Sequence, residues 1–429
     1  MEKWSVPYDR TVSEKREGAP RLIEANRLQI RLVPTDLEGL LPEDHQARAV
    51  WSFVVRLNLS EFHDQIRARE GVAGRPAIDP RILLGLWILA TLDGVGSARE
   101  VARLCEQHVA YQWMCGGVSV NHHTLSDFRN LSSDQLSGVL TQSVSGLLSE
   151  GLVEMQRVAH DGMKVRASAG SKSFRRRARL EEFQKIVGEQ IEILTRELED
   201  DSRAASKRQQ QARKQAAENR EKRIERALEE LTKAEQERTA RSKNQKRDQK
   251  KEKRASITDP EARVMKMADG GFRPAYNVHL TSTTERSVIV AVEVNNEGTD
   301  QPAMLPLAEQ LEARYQVQPK EWLADGGCAS LTNVDRMSER GCKVYAPTRI
   351  DKPTRRKDSP AVAEWRGRMQ TDEAKAIYKL RAQTAEWVNA QFRAQGLTHL
   401  LVRGLEKVRA VVLMHAITHN FRRSCALAS

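Results

Sequence analysis

Apolar positions recur along this chain in three rhythms, and each predicts a different architecture. Up to about residue 150 the rhythm is helical. "IDPRILLGLWILATLDG" (78–94) is apolar on nearly every side and reads as a buried helix closed by Gly94. After a tight turn, "SAREVARLCEQHVAYQWM" (97–114) opens with Ser97 and places Glu100 three residues later, the pattern of a capping box. A second cap, Thr124 with Asp127, is expected to open "TLSDFRNL" (124–131). The block 1–150 is therefore predicted to be all-α, either with a helix-turn-helix-like pair or as an ordinary helical bundle.

Between 172 and 256 the rhythm lengthens. Leu180, Phe183, Val187, Ile191, Leu194 and Leu198 recur at three- and four-residue spacings, as do Ala212, Ala216, Ile224, Leu228 and Leu231, with "EDDS" (199–202) between the two runs. That predicts a long antiparallel helical hairpin. From 257 onwards strands and helices alternate. "FRPAYNVHLTSTTERSVIVAVEVNNEGTD" (272–300) reads as a β-hairpin around "TSTTER", and "MLPLAEQLEARY" (304–315) as an amphipathic helix. "KEWLADGG" (320–327) is a short strand, "SLTNVDRMSER" (330–340) a helix and "CKVYAP" (342–347) a strand. After a basic loop a last helical region begins "EAKAIYKLRAQTAEWVNAQFRAQG" (373–396), with a core stripe of Ile377, Leu380, Thr384, Val388 and Phe392. Glu386 lies off that stripe, so burial does not explain it.

Charge adds a partner to this picture. The chain of 429 residues carries 70 Lys and Arg against 58 Asp and Glu, a formal net charge of +12. The hairpin region alone holds 26 basic and 17 acidic residues, a surplus of nine. Such a surplus favours a polyanion, because each neutralised phosphate releases counterions, and nucleic acid is the first candidate. Arg75, Arg99, Arg103, His122, His123 and Arg129 are placed to face a phosphate backbone, or stand as ordinary exposed side chains of a bundle. "RSKNQKRDQKKEKR" (241–254) is too polar to bury anything and reads as an unfolded or DNA-contacting arm.

Other classes recede. No apolar run approaches the roughly 20 residues of a membrane span, and "MEKWSVPYDR" has no secretion-signal core, so a cytoplasmic protein is expected. The five cysteines, Cys105, Cys115, Cys328, Cys342 and Cys425, lack paired spacing and read as reduced, packed thiols. His415 and His419 sit four apart on one helix without a general-base carboxylate between them, and with His160 they read as packing or phosphate-neighbour residues. Trp387 reads as packing before base stacking.

Three carboxylates remain without a structural duty. Asp161 in "RVAHDGMKVRASAG" (157–170) sits where a core strand would carry Val or Ile, and Asp325 ends the strand "WLA". Glu386 is the third. A sheet of this element order brings all three to one edge, where like charges at close range require a counter-charge. Hard divalent cations supply it: Mg²⁺ takes oxygen ligands, and two ions can hold the attacking and leaving oxygens of an in-line displacement at phosphorus. Gly162 and the glycines of "DGG" (325–327) would leave room for a nucleic-acid backbone. Asp300 and Asp269 are rivals for the second position, "DGG" recurring at 269–271; Asp325 is favoured because an apolar strand precedes it. Asp161 could also be a plain turn residue.

"VAHDGMKVRASA", "WLADGG", "YKLRAQTAEWVNAQFRAQGL" and "LLVRGLEKVRAVVLMHAITHNFRR" resemble the insertion-sequence transposases of the DDE superfamily, and "RPAIDPRILLGLWILATLDGVGSAREVARL" with "NHHTLSDFR" resembles the helical N-terminal domain of the InsH type. The resemblance runs from about residue 40 to 423. It implies an RNase H-like α/β core, a mixed sheet with flanking helices, preceded by the all-α helix-turn-helix-like domain (1–150) and interrupted by the basic hairpin (172–256) between its first part (151–171) and the remainder (257–429). It makes Asp161, Asp325 and Glu386 catalytic and metal-binding, with Mg²⁺ or Mn²⁺, two ions, as cofactor. The family's Tyr, Arg, Glu, Lys signature falls on Tyr378, Arg381, Glu386 and Arg393, the last standing where lysine is usual, and Arg381 lies one residue farther from the glutamate than in its strictest form. Tyr378, Arg381 and Arg393, with Arg99, Arg103 and Arg129, would contact DNA. The activity implied is cutting and joining of DNA at terminal inverted repeats, with double-stranded DNA as partner and a homodimer in the synaptic complex. The alternative is a non-catalytic DNA-binding or repressor protein derived from a transposase; a stand-alone nuclease would not need the helical block and hairpin.

Overall fold

The structure, a computed structural model, describes residues 36–71, 73, 75–130, 133–200, 204–241, 253–348 and 358–428. Seven helices come first: α1 (Gln46–Val55), α2 (Ser60–Asp64), α3 (Pro80–Leu92), α4 (Ala98–Gln107), α5 (Val109–Cys115), α6 (His122–Asn130) and α7 (Ser133–Ser149). α3 begins as its sequence demands: the Asp79 carboxylate accepts from Arg81 N, and Pro80 takes the first turn, where no N–H is needed. It ends at Gly94, whose φ of +71° suits glycine. The two expected caps differ from what forms. Ser97 starts α4 without a side-chain bond, and Glu100 pairs with Arg103 instead of reaching back. α6 starts two residues earlier than expected, and Asn121 receives the Thr124 N–H at 2.9 Å.

The sheet follows. β1 (Arg157–Arg166), β5 (Phe272–Thr283) and β6 (Ile289–Asn295) form an antiparallel meander, and β7 (Glu321–Leu323) and β8 (Lys343–Tyr345) add in parallel on the other side of β1. The order β6-β5-β1-β7-β8 is RNase H-like. A further strand, β4 (Arg263–Lys266), pairs with the start of β5 and has no counterpart in the sequence reading. α10 (Met304–Tyr315) and α11 (Leu331–Glu339) connect the later strands, then come α12 (Pro360–Arg368), α13 (Asp372–Arg381), α14 (Trp387–Ala394) and α15 (Leu405–Ala428).

Between β1 and β5 the chain leaves the sheet. β2 (Phe174–Arg175) and β3 (Ala255–Ser256) pair at the base of the insertion, and α8 (Arg177–Asp200) and α9 (Ala204–Arg241) pack antiparallel above it. Leu180, Val187, Ile224, Ala227 and Leu231 form a small core of their own with Ala255. Ala212 and Ala216 are exposed, and Ala217 is the buried alanine of that turn. The basic stretch 242–252 lies outside the described residues.

No comparable break separates the first seven helices from the sheet. One continuous apolar core runs from Leu41 to Phe421, because α15 lies between them: Phe421 packs on Phe53 of α1 at 5.4 Å, and Asn420 exchanges two hydrogen bonds with the backbone of Ile289 on β6. Ser133 at the start of α7 likewise donates to Glu406 of α15.

Candidate active site at the sheet edge

β1 and β7 run parallel with Ala159 opposite Leu323. Two residues further along each strand direction stand Asp161 and Asp325, so side-chain alternation points both carboxylates to one face. Their proximity is felt electrostatically. Burial raises the Asp161 carboxyl above its ordinary range, Arg381 opposes this, and Asp325 adds to it. Asp325 is half-buried and caps its own loop, its Oδ1 accepting Cys328 N at 2.9 Å.

The late helix covers this face. Arg381 donates to Asp161 Oδ1 at 2.6 Å, and Asn389 donates to Asp161 Oδ2 at 2.7 Å. Those residues are eight apart, which on an unbroken α-helix leaves them about 80° out of line. Residues Ala382–Glu386 form a π-turn that holds one extra residue and closes the difference. The extra residue between Arg381 and Glu386, a departure from the strictest signature spacing, is taken up there. Tyr378 is half-buried beside Arg381; burial raises its phenol, Arg381 opposes this, and Asp325 and Asp161 add to it.

Glu386 ends the π-turn and is exposed. Among the described residues no three His, Cys, Asp or Glu side chains stand close enough to hold a metal ion. The structure thus brings Asp161 and Asp325 together, with Tyr378 and Arg381 beside them, and leaves Glu386 exposed on the covering helix, one turn before Asn389. Asn389 was not foreseen; its only signal in the sequence is its position three residues after Glu386.

Gly162 and Gly327 both face carboxylates of the chain. A Cβ at Gly162 would meet Asp300 Oδ1 and His279 at 3.0 Å, and one at Gly327 would meet Asp325 Oδ1 at 3.1 Å and Asp300 Oδ2 at 3.5 Å. Both glycines admit side chains of the chain itself. Asp269, the other rival carboxylate, is exposed in a turn and paired with Arg273 at 2.7 Å.

The arginines divide. Arg99 and Arg393 are exposed. Arg103 is exposed but engaged by Glu100 and Gln107. Arg129 is a correction: it is 8 % exposed, lies over the Trp87 ring at 4.6 Å and donates to Gly96 O, so it serves the helical core and cannot face DNA. Its apolar surroundings bring its guanidinium down to about 10. His415 and His419 are buried among apolar groups that lower both to about 4, and His419 contacts Ser287 O at 2.8 Å, which fits packing. Trp387 is 39 % exposed, with His419 and Arg423 on its ring. None of the five cysteines forms a disulfide. No described helix is long and apolar enough to cross a membrane.

Two family models match the chain: "Transposase domain (DUF772)" over residues 35–131, and "Transposase DDE domain" over 339–425. Both matches support an insertion-sequence DDE transposase. The second match contains Tyr378, Arg381, Glu386 and Asn389, and the first contains Arg99, Arg103 and Arg129. Asp161 and Asp325 fall outside both, so their assignment rests on the sheet geometry. No curated protein and no solved structure matches the chain. Transposases act on DNA, which supports DNA as a partner of this chain.

Proposed function

We propose that the chain cuts and joins DNA at terminal inverted repeats by divalent-cation-dependent phosphoryl transfer, with Asp161 and Asp325 as the central carboxylates and Glu386 as the third. The observation that carries this is the placement of Asp161 on β1 and Asp325 just past the end of β7, its parallel neighbour, under a helix bearing Arg381. The donor set fits a hard cation: it is oxygen-only, half-buried and mutually repulsive, and Mg²⁺ needs only one or two carboxylates when waters and substrate phosphates complete its shell. When bound, such ions would supply charge for the oxygens at the reacting phosphorus.

The chain's own residues do the rest. Arg381 holds Asp161 by one guanidinium nitrogen, a charge-assisted bond that orients the carboxylate. Asn389 fixes the second Asp161 oxygen, so the carboxylate plane is set before DNA arrives. Tyr378 and exposed Arg393 flank the same helix and would seat the terminal phosphates. The helical block, with Arg99 exposed on α4, would read the repeat; the hairpin would add phosphate contacts; and joining two ends calls for two copies of the chain. The division into a 1–150 reading unit, a 172–256 insertion and a catalytic remainder is part of this proposal.

The alternative, a DNA-binding protein without catalysis, draws on the bonding of both Asp161 oxygens by Arg381 and Asn389. One assay separates the two. Purified protein incubated with a labelled element end and Mg²⁺ should nick DNA at the element boundary; binding without any nick, under Mg²⁺ and Mn²⁺ alike, would favour the alternative.

A further inference from the structure

Asp300 opens the 3₁₀ turn Gln301–Ala303 but does not cap it: its side chain makes no bond to that turn. An aspartate at this position ordinarily bonds the following N–H groups. Here the carboxylate is turned the other way and lies between the two glycines that follow the site aspartates. Its Oδ1 faces the Cβ position of Gly162, and its Oδ2 that of Gly327, which Asp325 also faces. The buried Asn277 holds Oδ1 by a 2.6 Å hydrogen bond, which leaves Oδ2 for the Gly327 position that Asp325 also faces.

Behind it stands a second, separate feature. His279 is wholly buried on β5, opposite Gly162 in the ladder, and meets His160 at 3.3 Å through Nδ1. Its Nε2 has no hydrogen-bond partner and is 4.0 Å from Asp300 Oδ1. A buried polar atom left unpaired costs stability, and this one is aimed at the carboxylate. A helical turn uncapped, a histidine unsatisfied and two glycines kept bare all place a third negative charge beside Asp325.

We propose that Asp300 is a further carboxylate of the cation site, acting with Asp325 on the divalent ion through that ion's water shell. This rests on the metal-dependent reading above. Gly327 keeps open the space between the two carboxylates, and Asn277 holds Asp300 in position. Asp300 is thereby a positioning residue for the cation, and Glu386 is not the only acidic group beyond the two strand aspartates to serve it.

The test is Mn²⁺ binding to the full-length protein, followed by titration calorimetry in the absence of DNA, with circular dichroism and thermal midpoint as folding controls. Asp300→Asn keeps the acceptor for Asn277 and removes only the charge; it should weaken Mn²⁺ binding about tenfold, since cation affinity follows the charge count of the donors. Gly327→Ala removes no charge but fills the space between the carboxylates, and should weaken binding in the same direction. Asp325→Asn should lose most of it, and Asp269→Asn none. If Asp300→Asn and Gly327→Ala bind Mn²⁺ as the unchanged protein does while Asp325→Asn fails, Asp300 is a structural residue and the inference falls alone. If the unchanged protein binds no Mn²⁺, or Asp325→Asn binds it equally well, the metal-dependent reading falls with it.

Discussion

The hairpin and the carboxylate edge of the sheet are built on opposite plans. The hairpin's core comes from two neighbouring helices and a few residues at its base, and the chain leaves and rejoins the sheet through Arg175 and Ala255, which are ladder partners. The edge draws on Asp161, Asp300, Asp325, Arg381 and Asn389, gathered from more than two hundred residues of chain. A unit held by local contacts can be altered as a piece; a site held by long-range contacts changes wherever any contributor moves.

The largest expected effect is at the edge. Asp161→Asn should lower cleavage of an element end by about a thousandfold or more while DNA binding persists, because affinity is set by phosphate contacts elsewhere. Stability should change by no more than about 1–2 kcal/mol, the relief of burying one charge offsetting the weaker bond to Arg381. Asp325→Asn and Glu386→Gln should behave alike, and a double variant should be little worse than either single one. A Glu386→Gln protein that cleaves normally would remove that residue from the site and leave the sheet aspartates in place.

Next comes the distinction between a core arginine and a surface one. Arg129→Ala removes a buried cation from the face of Trp87 and leaves Gly96 O without its donor, and should cost about 2–4 kcal/mol in denaturant unfolding. Arg99→Ala should cost less than about 0.5 kcal/mol and reduce the salt slope of DNA binding by about one unit. Equal stability losses at both positions would mean that α4 is not the exposed surface described here. Removing 1–150 outright is a poorer probe, because it would strip α15 and β6 of their cover.

Smaller still is the effect of excising the hairpin. Replacing residues 176–254 by Asn-Gly joins two ladder partners through a two-residue turn suited to such a ribbon. The remaining chain should fold and keep its thermal midpoint within a few degrees, with weaker DNA binding and a flatter salt dependence. Aggregation of the excised protein would show that the hairpin shields the sheet.

The smallest effect is expected from deleting Gln383, an exposed residue of the π-turn. Deletion removes the extra residue and the π-turn together, so Arg381 and Asn389 should return to the same face at α-helical spacing. Cleavage should stay within about tenfold of the unchanged protein. A collapse of activity with the fold intact would assign the π-turn a part in the site beyond taking up one residue.

Periodicity alone determined α3 and the helical runs at 97–114 and 124–131 (the first divided by the fold into α4 and α5), the hairpin with its Leu180, Val187 and Ile224 stripe, and the strands around Trp322 and Val344, because side-chain spacing on a helix or strand is a local property. The carboxylates Asp161 and Asp325 were legible for a related reason: a carboxylate within an apolar strand, or just past its end, is conspicuous against its neighbours. Arg129 was not, since an arginine stacked beneath a tryptophan has the same sequence appearance as one facing solvent. Nor was the common core of the first block and the sheet, which depends on where α15 lies after more than two hundred intervening residues. Asp300 shows the limit most directly. The chain names it only as a rival to Asp325, whereas the fold sets the two on either side of Gly327, because antiparallel pairing of β1 with β5 brings Gly162 against His279 and the turn after β6 carries Asp300 into the space both glycines leave.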